Sequence, residues 1–326
     1  MPVVNKELEN SILNLLSKNL MSVTQVANTL GIRKDLASKY LEFMRQQGKL
    51  ELFVVGTSNV YTVPRSVQAD RRYARTIAIT SGKGGVGKTV VTINLASALM
   101  EFKTNVIAVD ADVKMSSLGL QLGMYYFPVT LNNILKDNVD ILNALYMHPS
   151  GLRIIPASLS IDDVDISNFS NFSKSFANRY FDNTILLVDS PPGLEENTIQ
   201  VMKACKETIV VTTPEIPAIA DAIKTIDTAR EVGSKVLGVI VNRYRRTRKQ
   251  ISVDEIEAVC ELPILGVIPE DKMIIKSIYK KMPVVFLNKY AKSSVAFKKI
   301  AARLLGFEYK PPLGVFLKRL LIGWRK

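Results

Sequence analysis

The sequence predicts an α/β protein: a mostly parallel, twisted sheet of roughly eight strands flanked by helices, with a small N-terminal domain and a C-terminal amphipathic helix. Three observations lead to this prediction. Apolar, β-rich runs alternate with helical stretches from residue 75 onward, a glycine-rich turn joins the first run to the first helix, and residues 1–63 follow a different pattern. The expected strands are Thr76–Thr80, Asn105–Val109, Leu152–Pro156, Thr184–Val188, Thr208–Thr212, Lys235–Val241, Ile264–Ile268 and Val284–Leu287.

Residues 1–63 form the first expected domain, with three helices and a β-hairpin. Apolar residues at helical spacing between residues 8 and 16 indicate the first helix, and a capping box at Ser22–Gln25 begins the second. Apolar residues between 36 and 44 mark the third. Two β-rich runs around a turn between residues 50 and 63 complete the order, which resembles a winged helix-turn-helix domain.

This N-terminal domain is expected to contact either DNA or a protein. A winged helix binds DNA by placing one helix in the major groove. The segment at 33–49 contains such a helix, but Asp35 and Glu42 are interleaved with its basic residues, so both alternatives stay open. The basic residues are Arg33, Lys34, Lys39 and Arg45. Residues 64–75 have little periodicity and are predicted to be a linker.

The stretch SGKGGVGKT follows the first expected strand and precedes a helix start. It meets the pattern G-x-x-x-x-G-K-[ST], in which glycines let backbone N–H groups turn inward around phosphate oxygens. We expect Lys88 to reach the β- and γ-phosphates of a nucleotide and the Thr89 hydroxyl to hold Mg²⁺. The residues expected to form the phosphate cradle are Gly82, Gly84, Gly85, Val86 and Gly87.

Composition narrows the class of protein and of partner. The chain has 326 residues, enough for roughly two domains. Its formal net charge is +13, which favours an anionic partner such as nucleic acid or an anionic membrane. The two cysteines, Cys205 and Cys260, are isolated in sequence, so buried free thiols are expected.

Lys83 is a second lysine that the phosphate-loop pattern does not require. With it, the loop reads K-G-G-x-G-K-T and resembles the deviant Walker A loop of the MinD/ParA family. The resemblance covers about residues 76–306 and implies a P-loop NTPase fold with ATP as the nucleotide. In that family the early lysine reaches the partner subunit's nucleotide, which implies an ATP-dependent homodimer. Lys83, Lys88 and Asp112 are the expected catalytic residues.

Acidic residues follow two further expected strands. An apolar run ends at Asp189, which is how a Walker B carboxylate is presented to Mg²⁺. The D-x-D of Asp110 and Asp112 resembles the family's switch I, which implies that Asp112 orients the attacking water and couples to the metal. The family commonly has asparagine where Ser117 stands, so this segment departs from the family's switch I pattern. The predicted metal ligands are Thr89, Asp112 and Asp189.

The nucleotide base has its own expected contacts. Asn242 matches the family's adenine-reading asparagine, and an amide can both donate to and accept from an adenine edge. Pro269 and Asp271 match the loop that closes over the base. A basic cluster at residues 243–249 has two interpretations, a DNA contact or a solvated loop beside the nucleotide.

Residues 307–326 are predicted to be a tail that contains an amphipathic helix at 313–326. Basic residues lie off its apolar face and no acid is present, a composition typical of helices that lie in a membrane interface. The helix resembles the MinD membrane-targeting sequence. Its apolar face consists of Leu313, Phe316, Leu317, Leu320, Leu321 and Trp324.

These features predict an ATP-dependent dimerising ATPase that is cytoplasmic and reversibly peripheral on the cell membrane. It is expected to hydrolyse ATP slowly until a protein activator acts. Its expected role is the spatial positioning of the cell division site or other cellular machinery, with a protein activator or cargo as partner. Two alternatives bind DNA instead, a ParA-type partition ATPase and an ATP-switched transcription regulator, through residues 33–49 or 243–249. An iron–sulfur carrier is disfavoured because the sequence has no C-x-x-C pair.

Overall fold

The computed structural model describes residues 6–16, 21–55, 58–62, 74–137, 139–159, 172, 181–245, 247 and 250–311. The chain divides into two compact units, residues 1–72 and 73–326. Most of the predicted linker and the whole predicted tail helix lie outside the described residues. Among the helices within the described ranges, none is long and apolar enough to cross a membrane.

The N-terminal unit has the predicted order of three helices and a hairpin. Its elements are α1 (Lys6–Leu16), β1 (Met21–Ser22), α2 (Val23–Leu30), α3 (Lys34–Gln46), β2 (Glu51–Val55) and β3 (Ser58–Thr62). Ser22 and Gln25 form the capping box at the start of α2, and Gly31 ends that helix in the left-handed conformation, with φ 63°. Strands β1, β3 and β2 form an antiparallel sheet in that order. Whether this unit acts as a winged helix stays a prediction.

The second unit is built on an eight-stranded sheet, as predicted. Its strands are β4 (Arg75–Thr80), β5 (Val106–Asp110), β6 (Tyr146–Met147), β7 (Arg153–Ile155), β8 (Ile185–Asp189), β9 (Glu207–Thr212), β10 (Lys235–Tyr244) and β11 (Ile264–Pro269). They lie in the order β11-β10-β9-β4-β8-β5-β7-β6, and every neighbouring pair is parallel except β6 with β7.

Helices cover both faces of this sheet. They are α4 (Lys88–Glu101), α5 (Leu118–Gln121), α6 (Leu131–Asp137), a 3₁₀ helix (Ile141–Ala144), α7 (Glu196–Ala204), α8 (Ile216–Glu231), α9 (Val253–Cys260), α10 (Lys272–Tyr279), α11 (Val284–Leu287) and α12 (Lys292–Leu304). Successive strand residues point to opposite faces, so Ile209 joins a core with α4, α11 and α12, whereas Val210 joins a core with α8 and α9.

The strand predicted at Val284–Leu287 is wrong, because these residues form the short helix α11. A four-residue apolar run fits a buried strand or a buried helical turn equally well. Packing decides here: Val284 and Val285 are fully buried, and the Val284 N–H donates to Asn94 Oδ1 of α4 at 2.7 Å. The remaining strand of the eight is β6, a two-residue antiparallel addition at the sheet edge.

The topology brings the predicted motifs to one edge of the sheet. β4 lies between β8 and β9, and β8 in turn pairs with β5. Because these strands are parallel, their carboxyl ends meet at the same edge, where ligands bind in open α/β sheets. The phosphate loop, Asp110 and Asp189 follow or end β4, β5 and β8 respectively.

Candidate nucleotide-binding site

The loop between β4 and α4 needs glycine at two close contacts. Gly87 has φ 89°, and a Cβ there would clash with the Asn242 side-chain amide. At Gly82 a Cβ would clash with the backbone carbonyl of Asp221 in α8. The loop therefore lies tightly between β10 and α8, and its backbone N–H groups lead directly into the N-terminus of α4 at Lys88.

Lys88 joins the loop to the end of β8. Its side chain is only 8% exposed, and its Nζ lies 3.0 Å from Asp189 Oδ1 and also donates to the Ser190 carbonyl. The structure thus brings the predicted phosphate-binding lysine and the predicted metal-binding carboxylate into contact. A buried cation at a helix N-terminus is well placed to bind a phosphate group.

Hydroxyl and carboxylate oxygens converge beside Lys88. Thr89 Oγ1 donates to Asp189 Oδ2 at 2.5 Å and lies 3.0 Å from Ser117 Oγ, and Thr92 Oγ1 donates to Asp189 Oδ1 at 3.3 Å. These are the hard oxygen donors that Mg²⁺ prefers, so the residues present fit the metal. Sequence reasoning gave Ser117 no contact here. Its only signal was that it stands where the family commonly has asparagine.

Asp110 organises the segment after β5. Its carboxylate accepts hydrogen bonds from Ser116 Oγ at 2.9 Å and from the N–H groups of Asp112, Ser117 and Leu118 at 3.0–3.1 Å. Complete burial, followed by the charge of Asp189, raises the pKa of Asp110 to about 7. Asp110 therefore holds the predicted switch I segment against the metal-binding residues.

Asp112 belongs to the same turn. Its side chain is nearly buried, and its Oδ1 accepts from the Met115 N–H at 3.0 Å. Its own N–H donates to Asp110 Oδ1 at 3.1 Å. The roles predicted for Asp112 in orienting water and in holding Mg²⁺ stay predictions.

Asn242 connects β10 to the phosphate loop. Its Nδ2 donates to the Val86 carbonyl at 2.7 Å, and its Oδ1 is buried without a hydrogen-bond partner among the described residues. A buried acceptor without a partner is costly, and it fits the exocyclic amino group of adenine. The residues therefore fit an adenine nucleotide at this position.

Asn242→Ala is expected to lower ATP affinity about tenfold and to reduce the preference for ATP over GTP. The substitution removes the buried acceptor and also releases the Val86 carbonyl, and each lost hydrogen bond contributes about 1 kcal/mol. Titration of the variant with ATP and with GTP measures both effects. An unchanged preference for ATP would contradict the adenine assignment.

The structure gives Asp271 a different set of contacts from the predicted one. Its Oδ1 accepts from the Met273 N–H at the start of α10, and its Oδ2 accepts from the Ser293 N–H and hydroxyl at 2.8–3.0 Å. The carboxylate thus caps α10 and anchors α12. Pro269 ends β11 and is half-buried. For both residues, a contact with the nucleotide stays a prediction.

Lys83 differs from Lys88 in its environment. The Lys83 side chain is exposed on the outside of the loop, where the Ser81 hydroxyl donates to its backbone carbonyl at 3.0 Å. A reach toward a second subunit stays a prediction.

The two basic segments predicted for DNA carry internal ion pairs. In the N-terminal unit Arg33 pairs with Asp35 at 2.7 Å and Arg45 with Glu42 at 2.6 Å. Beside β10, Arg245 pairs with Glu270 at 3.7 Å, and Arg246, Arg248 and Lys249 lie outside the described residues. Local pairing reduces the positive charge that either segment offers to a phosphate backbone.

Comparison with known proteins agrees with this geometry. The CobQ/CobB/MinD/ParA nucleotide binding domain matches residues 77–284. An uncharacterised ATP-binding protein of Methanocaldococcus jannaschii is 36% identical over 237 residues, which are 73% of this chain and 90% of that protein. The cell division ATPase MinD of Pyrococcus furiosus superposes with a TM-score of 0.67 at 33% identity, covering 71% of this chain and 98% of that one.

A third similar protein carries a bound nucleotide. The septum site-determining protein MinD of Pyrococcus horikoshii, solved with Mg-ADP, has a TM-score of 0.66 at 34% identity and covers 73% of this chain and 99% of that one. The matched family region contains the phosphate loop, Asp110, Asp112, Asp189 and Asn242. The chain belongs to the CobQ/CobB/MinD/ParA nucleotide-binding family and is a MinD/ParA-type ATPase that uses ATP and Mg²⁺.

Proposed function

We propose that this ATPase dimerises when it binds ATP, and that the dimer attaches to the membrane through the tail helix at 313–326. The cycle of attachment and release positions cellular machinery, with the N-terminal unit available to recruit cargo. The observation that carries this proposal is the contrast within one loop: Lys88 is buried at 8% exposure, whereas Lys83 is exposed. One lysine serves the chain's own nucleotide, and the other is free for a partner.

Exposed apolar side chains beside the loop support dimerisation. Met115, in the segment after Asp112, is 75% exposed, and Ile216, at the start of α8, is 73% exposed. Both segments adjoin the nucleotide site, because α8 contacts the loop at Gly82 and Met115 donates to Asp112. A second copy of the chain covering this edge would bury both side chains.

Thr89 and Asp189 would hold Mg²⁺, which would neutralise phosphate charge, and the protein residues position the reacting groups. Lys88 and the loop N–H groups hold the phosphates, while Asp110 fixes the backbone that carries Asp112. Positioning and charge alone give slow hydrolysis, so the dimer persists until an activator completes the site.

The tail supports a membrane function that depends on the dimer. Partial insertion of six large apolar side chains contributes several kcal/mol at roughly 25 cal/mol per Å², and helix ordering offsets much of it. A single tail is therefore only a marginal membrane anchor. In a dimer the second tail binds at an effective concentration on the order of mM, which makes the pair a stable anchor.

We expect the wild type to sediment with vesicles that contain phosphatidylglycerol in ATP and to stay in solution in ADP. Phe316→Glu and Trp324→Glu are each expected to abolish sedimentation without lowering nucleotide affinity, because each places a charge in the apolar face. Val315→Gln, on the polar side of the same helix, is the matched control and should sediment normally.

The same assay separates this function from the DNA-binding alternatives. Vesicles of phosphatidylcholine alone and duplex DNA are the two further arms. ATP-dependent, salt-sensitive binding to DNA without binding to vesicles would contradict the membrane function and favour a partition ATPase or a transcription regulator. Equal sedimentation in ATP and ADP would contradict the coupling of the tail to the dimer.

A further inference from the structure

We propose that the exposed face of α10 is a second contact with the anionic membrane surface, separate from the tail. This inference rests on the proposed membrane function and adds a surface of the ATPase unit itself to it. The face is formed by side chains at positions i, i+3, i+4, i+7 and i+8, all of them exposed. They are Lys272, Ile275, Lys276, Tyr279 and Lys280.

Packing accounts for only one side of α10. Met273 and Ile274 pack against the core that contains α4, α11 and α12, and Ser277 is buried. On the opposite side Ile275 is 56% exposed and Tyr279 is 82% exposed. Large apolar and aromatic side chains on an exposed helix face, between lysines, are typical of a helix that lies in a membrane interface.

The chain around this face is uniformly basic. Residues 272–307 contain no aspartate or glutamate. The nearest acid in sequence, Asp271, is engaged by hydrogen bonds from the Met273 N–H and from Ser293. Three further acids have cationic partners: Glu270 pairs with Arg245, Glu308 with Lys310, and Glu101 with Lys298 at 2.6 Å. The exposed basic residues of this segment are Lys272, Lys276, Lys280, Lys281, Lys289, Lys292, Lys299 and Arg303.

The composition of the face favours lipid over nucleic acid. Lysines alone would serve a DNA backbone or an anionic membrane equally well. Ile275 has no partner on a phosphate backbone, whereas at a membrane its side chain can enter the interface while the lysine stems keep their charges in water. Tyr279 likewise can place its aromatic ring in the apolar part of the interface and its hydroxyl in the aqueous part.

Charge removal tests the contact in the full-length protein. Lys272→Gln, Lys276→Gln and Lys280→Gln are combined in one variant, and Lys203→Gln, Lys224→Gln and Lys235→Gln in a control variant with the same change in net charge. The control lysines are exposed and lie on α7, α8 and β10. Sedimentation in ATP is measured with vesicles of phosphatidylcholine and phosphatidylglycerol, and thermal unfolding and ATP titration confirm that both variants are folded.

We expect the α10 variant to bind vesicles at least tenfold more weakly and the control variant to change less than about twofold. Each lysine near an anionic surface raises the affinity for the membrane about fivefold, and salt screens part of this gain. Direct contact has its own readout. Tyr279→Cys, labelled with a nitrobenzoxadiazole dye, should shift its emission to the blue on vesicles in ATP, and Lys203→Cys should not.

The buried native thiols make this labelling selective. Cys205 and Cys260 are almost fully buried, and burial raises the pKa of both. If both triple variants bind as the wild type does, or weaken equally, the α10 contact is overturned and the proposed function stands. If the α10 variant loses binding to duplex DNA but still binds vesicles as the wild type does, the face binds nucleic acid and the α10 membrane contact is overturned. If the wild type does not bind vesicles in ATP, the membrane function itself fails, and this contact with it.

Discussion

Lys88→Ala is expected to lower ATP and ADP affinity by roughly thirtyfold to several thousandfold. Lys88 is nearly buried, so its charge acts on a bound phosphate with little screening from water. Removing one partner of a buried, hydrogen-bonded charge pair costs about 2–5 kcal/mol, and each 1.4 kcal/mol is tenfold in affinity. Calorimetric titration of the nucleotide measures the loss.

The substitution is also expected to lower the stability of the nucleotide-free protein. Lys88 contacts Asp189, so alanine leaves a fully buried carboxylate without its cation, although Thr89 and Thr92 still donate to it. Thermal unfolding separates lost stability from lost binding. If the folded variant binds ATP within tenfold of the wild type, the phosphate contact assigned to Lys88 is wrong.

Local sequence was sufficient for the phosphate loop and for most of the sheet. The loop depends on glycines, a helix N-terminus and one lysine within nine consecutive residues, so the local sequence is enough to predict its geometry. The long apolar runs of β4, β8 and β9 are buried along their length, which makes them unambiguous. The prediction failed at two short elements, α11 and β6, because their own sequences do not determine their structure. Packing against α4 makes α11 a helix, and β6 is defined by its pairing with β7.

The nucleotide site shows the same division. Asn242 and Val86 are 156 positions apart, so nothing in either segment indicates that the amide braces the phosphate loop. Likewise, Ser117 reaches Thr89 because the Asp110 carboxylate accepts from the Ser117 N–H and fixes its backbone. At Asp271 a local signal was present, an acid before a helix, and the structure uses it as a cap.

Lys83→Ala is expected to bind ATP within a few-fold of the wild type and to lose the ATP-dependent dimer. The side chain is exposed and lies outside the phosphate cradle, so its removal leaves Lys88 and the loop backbone unchanged. Across a subunit interface the same charge would become buried against a phosphate, where its loss costs about 2–5 kcal/mol, or roughly thirtyfold to several thousandfold in dimer affinity.

Light scattering in ATP, in ADP and without nucleotide measures this dimer. The matched control is Lys235→Ala, because Lys235 is exposed at the start of β10, at the opposite edge of the parallel sheet from the phosphate loop. The proposed dimer does not use that edge, so the control should dimerise normally. A Lys83→Ala protein that dimerises as the wild type does in ATP would remove the cross-subunit role.

The same variant connects the loop to the membrane. With its tail and its α10 face intact, Lys83→Ala should still fail to sediment with anionic vesicles in ATP, because one tail without a second is marginal. Joining two copies of the variant through a flexible linker should restore sedimentation, since the linker supplies the proximity that ATP no longer provides. If the unlinked variant sediments fully while it remains monomeric, a single tail is a sufficient anchor, and ATP controls the membrane by a route other than dimerisation.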